Sequence, residues 1–229
     1  YDYIEQNKKN FDKKILEILK DKNTYGLNVT IPFKQNIIKY IKKLDKHAKE
    51  IKAVNCVTTK PEISGSNTDW DGYYKSLPKI KHPNKKKVLL IGYGGAALAI
   101  HYVLKIKGFK NIIILNRTKK KLHFEKELKY TKSIKSLNKY LSGVDMIINT
   151  TPTNPIKSTH HTLVDRKTIL SDIVYTPKET AFLDTFPGYK KVYGITMLTE
   201  QAAACFKLWF GFKPDIDKKL LKTLDLKTK

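Results

Sequence analysis

The sequence predicts an α/β fold built on a parallel sheet. Three stretches carry that expectation: a strand–turn–helix–strand pattern over 88–118, a short strand leading into a helix near residue 30, and a long helix opening at Gly194. In the front third, Val29 and Ile31 alternate with Asn28 and Thr30, the period of a half-buried strand. Pro32 lacks an N–H donor and ends that strand, so Lys34 is expected at a strand–helix junction. Ile37, Ile38, Ile41 and Leu44 then follow a helical pattern. Residues 53–57 and 65–69 read as strand-or-turn segments with small polar groups. Further on, the apolar run 88–91 meets a glycine-rich turn, a helical pattern follows as far as Gly108, and 112–115 form a second apolar run. From Gly194 a helical pattern runs through Phe206, Trp209 and Phe210, the last two expected as core or interdomain packing.

The turn after 88–91 carries chemistry. Gly92, Gly94 and Ala97 stand in G-x-G-x-x-A spacing between a strand and a helix, the arrangement that receives a dinucleotide. Gly92 allows a tight turn, Gly94 lets backbone approach a pyrophosphate, and Ala97 lets helix and strand pack closely. The helix then turns free N–H groups and its positive dipole end toward the phosphates. The second strand ends in Asn116-Arg117-Thr118, with no Asp or Glu to bind a ribose 2′-hydroxyl. Arg117 offers a 2′-phosphate a planar, multi-donor cation, and Thr118 a hydroxyl. The expected cofactor is therefore NADP(H). Arg117 and Arg166 are the only arginines among 45 basic side chains, which sets Arg117 apart from the solvated lysines.

Composition narrows the classes. At 229 residues and 41% hydrophobic content, the chain can bury a sizeable core in one or two domains. No run approaches the ~20 apolar residues of a membrane helix, and the polar start is unlike a signal peptide. Two distant cysteines, Cys56 and Cys205, fit no disulfide framework or metal spacing, so a cytoplasmic location and no metal are expected. The pair His160-His161 lacks nearby Cys or carboxylate partners. The net charge of +24 raises a nucleic-acid reading, yet the excess is scattered lysine, and base readers and phosphate clamps lean on arginine.

Several segments together resemble the shikimate dehydrogenase family: NVTIPFK (28–34), AVN (53–55), NTD (67–69), the GYGGAA turn (92–97), NRT (116–118), INTTP (148–152), DIVYTP (172–177) and GITMLTEQAA (194–203). They occur in the family's order and span nearly the whole chain. The resemblance implies a two-domain α/β protein: a substrate-binding domain over 1–69, completed by helices in 195–229, and a Rossmann-type NADP-binding domain with a parallel sheet over 70–194, with a cleft between them. It implies reversible NADPH-dependent reduction of 3-dehydroshikimate to shikimate, in chorismate and aromatic amino-acid synthesis. The partners it implies are this small-molecule substrate, with no nucleic acid or membrane, in a monomer or homodimer.

By resemblance, Lys34 and Asp69 are the catalytic pair. The lysine donates a proton or hydrogen bond to the forming alkoxide, and the aspartate holds it and shares in proton movement. Asn28, Thr30, Asn55, Thr68, Tyr175 and Gln201, with Lys34 and Asp69, would bind the hydroxylated ring acid. Gly92, Gly94, Gly95 and Ala96 would approach the pyrophosphate. Asn116, Arg117 and Thr118 would surround the adenosine phosphate, and Thr150, Thr151 and Gly194 the nicotinamide side. Tyr93, inside the glycine turn, reads equally as a cofactor contact or a solvent-facing residue.

Departures from the family pattern are few. Lys52 stands where glycine usually precedes AVN, Trp70 follows Asp69 where glycine is common, and Asn154 replaces a frequent glycine. Cys56 stands where the family often has Thr and is expected as a small buried filler. Residues 1–4 look like the family's second strand. The family usually carries about 30 more residues ahead of the matching segment, including a Ser-x-Ser motif, and a missing strand would leave an unpaired edge. The chain is thus expected to be a fragment of a longer polypeptide. Two other functions stay open: a quinate or mixed quinate/shikimate dehydrogenase, and a nucleotide- or nucleic-acid-binding module without catalysis.

Overall fold

The computed structural model describes residues 2–125 and 128–227. The chain divides into two compact units, one up to Asn67 and one from Thr68 onward.

The first unit contains α1 (Phe11–Lys20), β1 (Gly26–Asn28), β2 (Lys43–Leu44), α2 (Lys46–Ile51), β3 (Cys56–Thr58) and β4 (Ser64–Ser66). Its sheet has the order β1-β3-β4-β2, with β1/β3 and β3/β4 antiparallel and β2/β4 parallel. Phe11 and Ile15 of α1 pack on Val29, Phe33, Ile37, Val54 and Val57, and the rings of Phe11 and Phe33 stack with centroids 4.2 Å apart. Cys56 is buried, as expected of a small filler.

Three local expectations are corrected here. The strand near residue 30 lies at 26–28, because the ladder sets its register: Asn28 pairs with Cys56, and beyond it only Val29 N–H reaches across, to the Asn55 carbonyl at 2.8 Å. The helix expected over 37–44 is a single 3-10 turn (Asn36–Tyr40), since Lys42 and Lys43 donate to the Ile63 carbonyl and draw the chain into β2. Residues 2–7 form no strand; no ladder partner exists for them among the described residues, and Tyr3 is 82% exposed. The glycine that the family prefers at position 52 also finds its reason. Lys52 caps α2 in the left-handed region, at φ 58° and ψ 37°, a conformation glycine adopts without steric cost.

The second unit contains α3 (Asp69–Ser76), β5 (Lys87–Ile91), α4 (Gly95–Ile106), β6 (Asn111–Asn116), β7 (Lys132–Ser133), α5 (Asn138–Leu141), β8 (Met146–Asn149), β9 (Ile169–Asp172), α6 (Ala181–Asp184), β10 (Lys190–Val192), α7 (Gly194–Phe210) and α8 (Lys218–Lys227). The six strands are all parallel, in the order β10-β9-β8-β5-β6-β7. Unbroken apolar strands such as Val88–Ile91 suit a sheet covered on both faces. Leu89, Ile91, Leu115, Ile147 and Leu170 join Leu137, Leu141, Phe182 and Phe186 in one core cluster. Numbered from β5, the order is 3-2-1-4-5-6, which reverses direction between β5 and β8. In open α/β sheets that switch point, at the carboxyl ends of the strands, is where ligands bind.

The α3 and α7 helices cross closely. A side chain at Gly72 would meet the Met197 carbonyl oxygen at 2.5 Å and Gln201 at 3.0 Å. Phe210, expected as core or interdomain packing, is 59% exposed and contacts Phe206, with centroids 4.3 Å apart, because it falls at the last turn of α7. His161 stacks on Phe186 rather than facing solvent, with centroids 5.6 Å apart. Among the described residues no helix is long and apolar enough to cross a membrane, and no group of three or more His, Cys, Asp or Glu could hold a metal ion.

Candidate functional site

The glycine turn sits at the switch point. Gly92 follows β5 at φ +97°, and its N–H donates to the Leu115 carbonyl at 2.8 Å. A Cβ at Gly92 would lie 2.3 Å from Thr150 Oγ1. That hydroxyl is fixed, because it donates to the Ile91 carbonyl at 2.7 Å while Thr150 N–H donates to the same oxygen at 2.9 Å. Gly94 differs. It is the N-cap of α4, its φ of −95° suits any residue, and a Cβ there would meet nothing within 4 Å. Neither backbone geometry nor packing requires glycine at 94, and its missing side chain leaves the backbone open to close approach. Gly95 and Ala96 open α4, where unpaired N–H groups point along the helix axis. Ala97 is 1% exposed and packs that helix to the sheet.

Asn116, Arg117 and Thr118 emerge at the end of β6, beside the glycine turn. Asn116 Nδ2 donates to the Thr118 carbonyl at 2.7 Å and shapes the exit from the strand. Arg117 and Thr118 are exposed there.

The loops after β8 and β9 are tied together by two residues that the sequence reading left without a role. Asn149 and Asp172 face each other across the β8/β9 ladder. Asn149 Nδ2 reaches the Asp172 carboxylate at 3.3 Å and the Thr151 and Thr153 carbonyls at 3.2 and 3.3 Å, while its Oδ1 accepts from Thr151 N–H and Oγ1. Asp172 accepts from Val174 N–H at 3.0 Å and from Thr180 Oγ1 at 2.7 Å. Burial pushes its pKa upward, against the opposing pull of those hydrogen bonds. Asn149 and Asp172 are the first polar letters of INTTP and DIVYTP, so the signal was present in the motifs. The start of α7 closes the set, since a Cβ at Gly194 would collide with the Ile173 carbonyl oxygen at 2.5 Å. Gly92, Thr150, Thr151 and Gly194 are thus assembled at neighbouring strand ends, with Tyr175 41% exposed after β9.

In the same unit Thr68, Asp69 and Gln201 gather where α3 meets α7. Thr68 Oγ1 lies 3.4 Å from Gln201 Oε1 and 3.1 Å from Cys205 Sγ, and Thr68 and Asp69 are both buried. In the first unit the backbone brings Asn28, Lys34 and Asn55 together. Asn28 Nδ2 donates to the Asn55 carbonyl at 3.4 Å, and Val54 N–H to the Lys34 carbonyl at 2.7 Å. Asn55 is buried, Lys34 half-buried, and Asn28 and Thr30 exposed.

Tyr93 does not face solvent. It is 2% exposed, and its hydroxyl lies 3.1 Å from His101 Nδ1 on α4. Burial raises the Tyr93 pKa to about 12 and holds the fully buried His101 down at about 3. An imidazole depressed on folding stabilises the protein above its unfolded pKa, and that contribution is lost as pH falls toward the folded value. Unfolding free energy is therefore expected to drop by about 2 kcal/mol between pH ~7 and ~5. In urea melts, His101→Gln should flatten that slope; an unchanged slope would show that His101 does not carry it.

A parallel sheet of this order with a glycine turn at its switch point defines a dinucleotide-binding α/β protein. Three family models match the chain: the shikimate dehydrogenase substrate binding domain over residues 1–57, shikimate / quinate 5-dehydrogenase over 76–176, and the shikimate 5′-dehydrogenase C-terminal domain over 194–218. Shikimate dehydrogenase (NADP(+)) of Methanobrevibacter smithii is 37% identical over 227 residues, covering 90% of this chain and 80% of that protein. The Bacillus cytotoxicus enzyme of the same name is 37% identical over 216 residues, covering 87% and 78%. The crystal structure of shikimate dehydrogenase 1 from Peptoclostridium difficile superposes with a TM-score of 0.80 at 29% identity, covering 98% of this chain and 84% of that one. The chain belongs to the shikimate dehydrogenase family.

Proposed function

We propose that the chain catalyses the reversible, NADPH-dependent reduction of 3-dehydroshikimate to shikimate. The observation that carries this reading is the switch-point turn, with its sterically open Gly94, beside a β6 end bearing Arg117 in place of a carboxylate. The NADP(H) that this fold takes fits the residues present. Gly92, Gly94, Gly95 and Ala96 would receive the pyrophosphate. Asn116, Arg117 and Thr118 would hold the 2′-phosphate, and Thr150, Thr151 and Gly194 the nicotinamide side. When bound, the cofactor supplies the hydride to the carbonyl carbon.

The remaining work falls to side chains. Lys34 donates the proton to the carbonyl oxygen as it becomes a hydroxyl, with Asp69 as its acid–base partner. Asn28, Thr30, Asn55, Thr68, Tyr175 and Gln201 offer short donors and acceptors to the ring hydroxyls and carboxylate. The substrate-binding domain is assigned to 1–69 with 195–229, and the NADP-binding domain to 70–194. Buried Cys56 and Cys205, neither in a disulfide, suit a reducing cytoplasm. A monomer or homodimer is the proposed state, with no nucleic-acid or membrane partner.

Two experiments test this. Shikimate and quinate should be offered with NADP+ and with NAD+. Preference for shikimate with NADP+ supports the proposal, and preference for quinate with NAD+ moves the chain to the quinate branch. Separately, Arg117→Ala is expected to weaken NADPH binding about tenfold or more while leaving NADH nearly unchanged, since a charge-assisted pair to the phosphate is lost. Equal losses for both cofactors would remove 2′-phosphate recognition from Arg117.

A further inference from the structure

The hydroxyl of Tyr93 ties the glycine turn after β5 to the segment after β6. Tyr93 lies within the glycine turn after β5. The segment after β6 begins with Arg117, and its residues 120–122 lie against 129–131. Its two arms are tied by Leu122 N–H to the Lys129 carbonyl and Thr131 N–H to the Lys120 carbonyl, both at 2.8 Å. Thr131 Oγ1 accepts from Lys120 N–H at 3.0 Å and reaches the Thr118 carbonyl at 3.4 Å.

Tyr93 fastens this segment to the turn at both ends of its own residue. Its carbonyl accepts from Lys120 Nζ at 3.0 Å, and its hydroxyl oxygen accepts from His123 N–H at 3.1 Å. The hydroxyl also lies 3.1 Å from His101 Nδ1, the direction of that bond following the imidazole tautomer. His101 Nε2 has no hydrogen-bond partner among the described residues, and Glu125 Oε1 stands 3.6 Å away. The rings close the arrangement. His123 stacks with Tyr93 at 6.1 Å, and Phe124 meets His101 edge-on at 5.0 Å.

We propose that Tyr93 is a positioning residue for 2′-phosphate recognition: it fixes residues 117–124 after β6 against the pyrophosphate turn, so that the cation at the end of β6 stands at a set distance from the phosphate-binding backbone. The proposal rests on reading Arg117 as the 2′-phosphate cation. A phenylalanine at 93 would fill the same space, so packing alone does not call for the hydroxyl. The hydroxyl's partners lie on α4 and on the segment after β6, so its loss removes the His123 tie while leaving the turn and the Lys120 contact to the Tyr93 carbonyl in place.

The test is a set of NADPH and NADH titrations on wild type, Tyr93→Phe, Arg117→Ala and the double variant, with thermal melts alongside. Tyr93→Phe is expected to raise the Kd for NADPH about five- to tenfold, the value of one lost hydrogen bond, with NADH within about twofold. In the double variant the two losses should not add, because both act on one contact. Equal weakening of both cofactors by Tyr93→Phe would overturn the proposal and make the residue a support of the turn alone. If Arg117→Ala is selective and Tyr93→Phe changes neither cofactor, the proposal falls while the 2′-phosphate reading stands. If Arg117→Ala is itself unselective, that reading falls first. Should Tyr93→Phe fail to fold, Thr131→Val removes the tie to Lys120 in the same segment, and it must show the same selective loss of NADPH for the proposal to survive.

Discussion

Lys34→Ala is expected to lower turnover by about 10²–10⁴-fold while the Kd for NADPH stays within about twofold, the signature of a lost transition-state contact. The backbone at 34 is anchored by neighbouring groups. Phe33, next in the chain, is buried against Phe11, and the Lys34 carbonyl accepts from Val54 N–H at 2.7 Å. The backbone at 34 is therefore held by groups that the substitution leaves in place. Thermal melts run alongside separate loss of fold from loss of chemistry. Turnover within a few-fold of wild type, measured at saturating substrate, would take Lys34 out of the chemistry.

The second large effect contrasts two glycines that stand two residues apart. Gly92→Ala is expected to cost about 2–6 kcal/mol of stability, from a side chain held at positive φ and from overpacking. The new Cβ would lie 2.3 Å from Thr150 Oγ1, and moving Thr150 breaks its hold on the Ile91 carbonyl. Gly94→Ala is expected to cost about 1 kcal/mol or less, since φ is −95° and no atom lies within 4 Å of the new methyl group. Its effect should fall on NADPH instead, weakening binding by about tenfold or more where the methyl group meets the pyrophosphate. Chemical denaturation and cofactor titration on the two variants separate these roles. A Gly94→Ala protein that binds NADPH normally would contradict the placement of the pyrophosphate.

The parts of the fold legible in the sequence are those with strong local signals. The run 88–91, the helix from Gly95 and the strand ending at Asn116 each carry their own periodicity, and the glycines between them mark the turn. The first unit was harder to read because its strands are two or three residues long and their register is set by partners across the sheet. Asn28 stops pairing where Cys56 does, and the chain after Ile41 follows Ile63, none of which is local. The same holds for the site. The place of Arg117, exposed at the end of β6, was legible because the strand before it carries its own periodicity. Tyr93 was not, because its partners lie 8 and 30 residues away, at His101 and His123. Asn149 and Asp172 sat inside recognised motifs, yet only strand pairing shows that they face each other.

The most direct test of the central claim is to mix this chain with NADPH and 3-dehydroshikimate and follow the loss of reduced-nicotinamide absorbance together with product. The expected result is NADPH oxidation matched one for one by shikimate formed, and reversed by shikimate with NADP+. NADPH binding without oxidation on addition of 3-dehydroshikimate would contradict it and leave the chain a nucleotide-binding member of its family with another substrate or none.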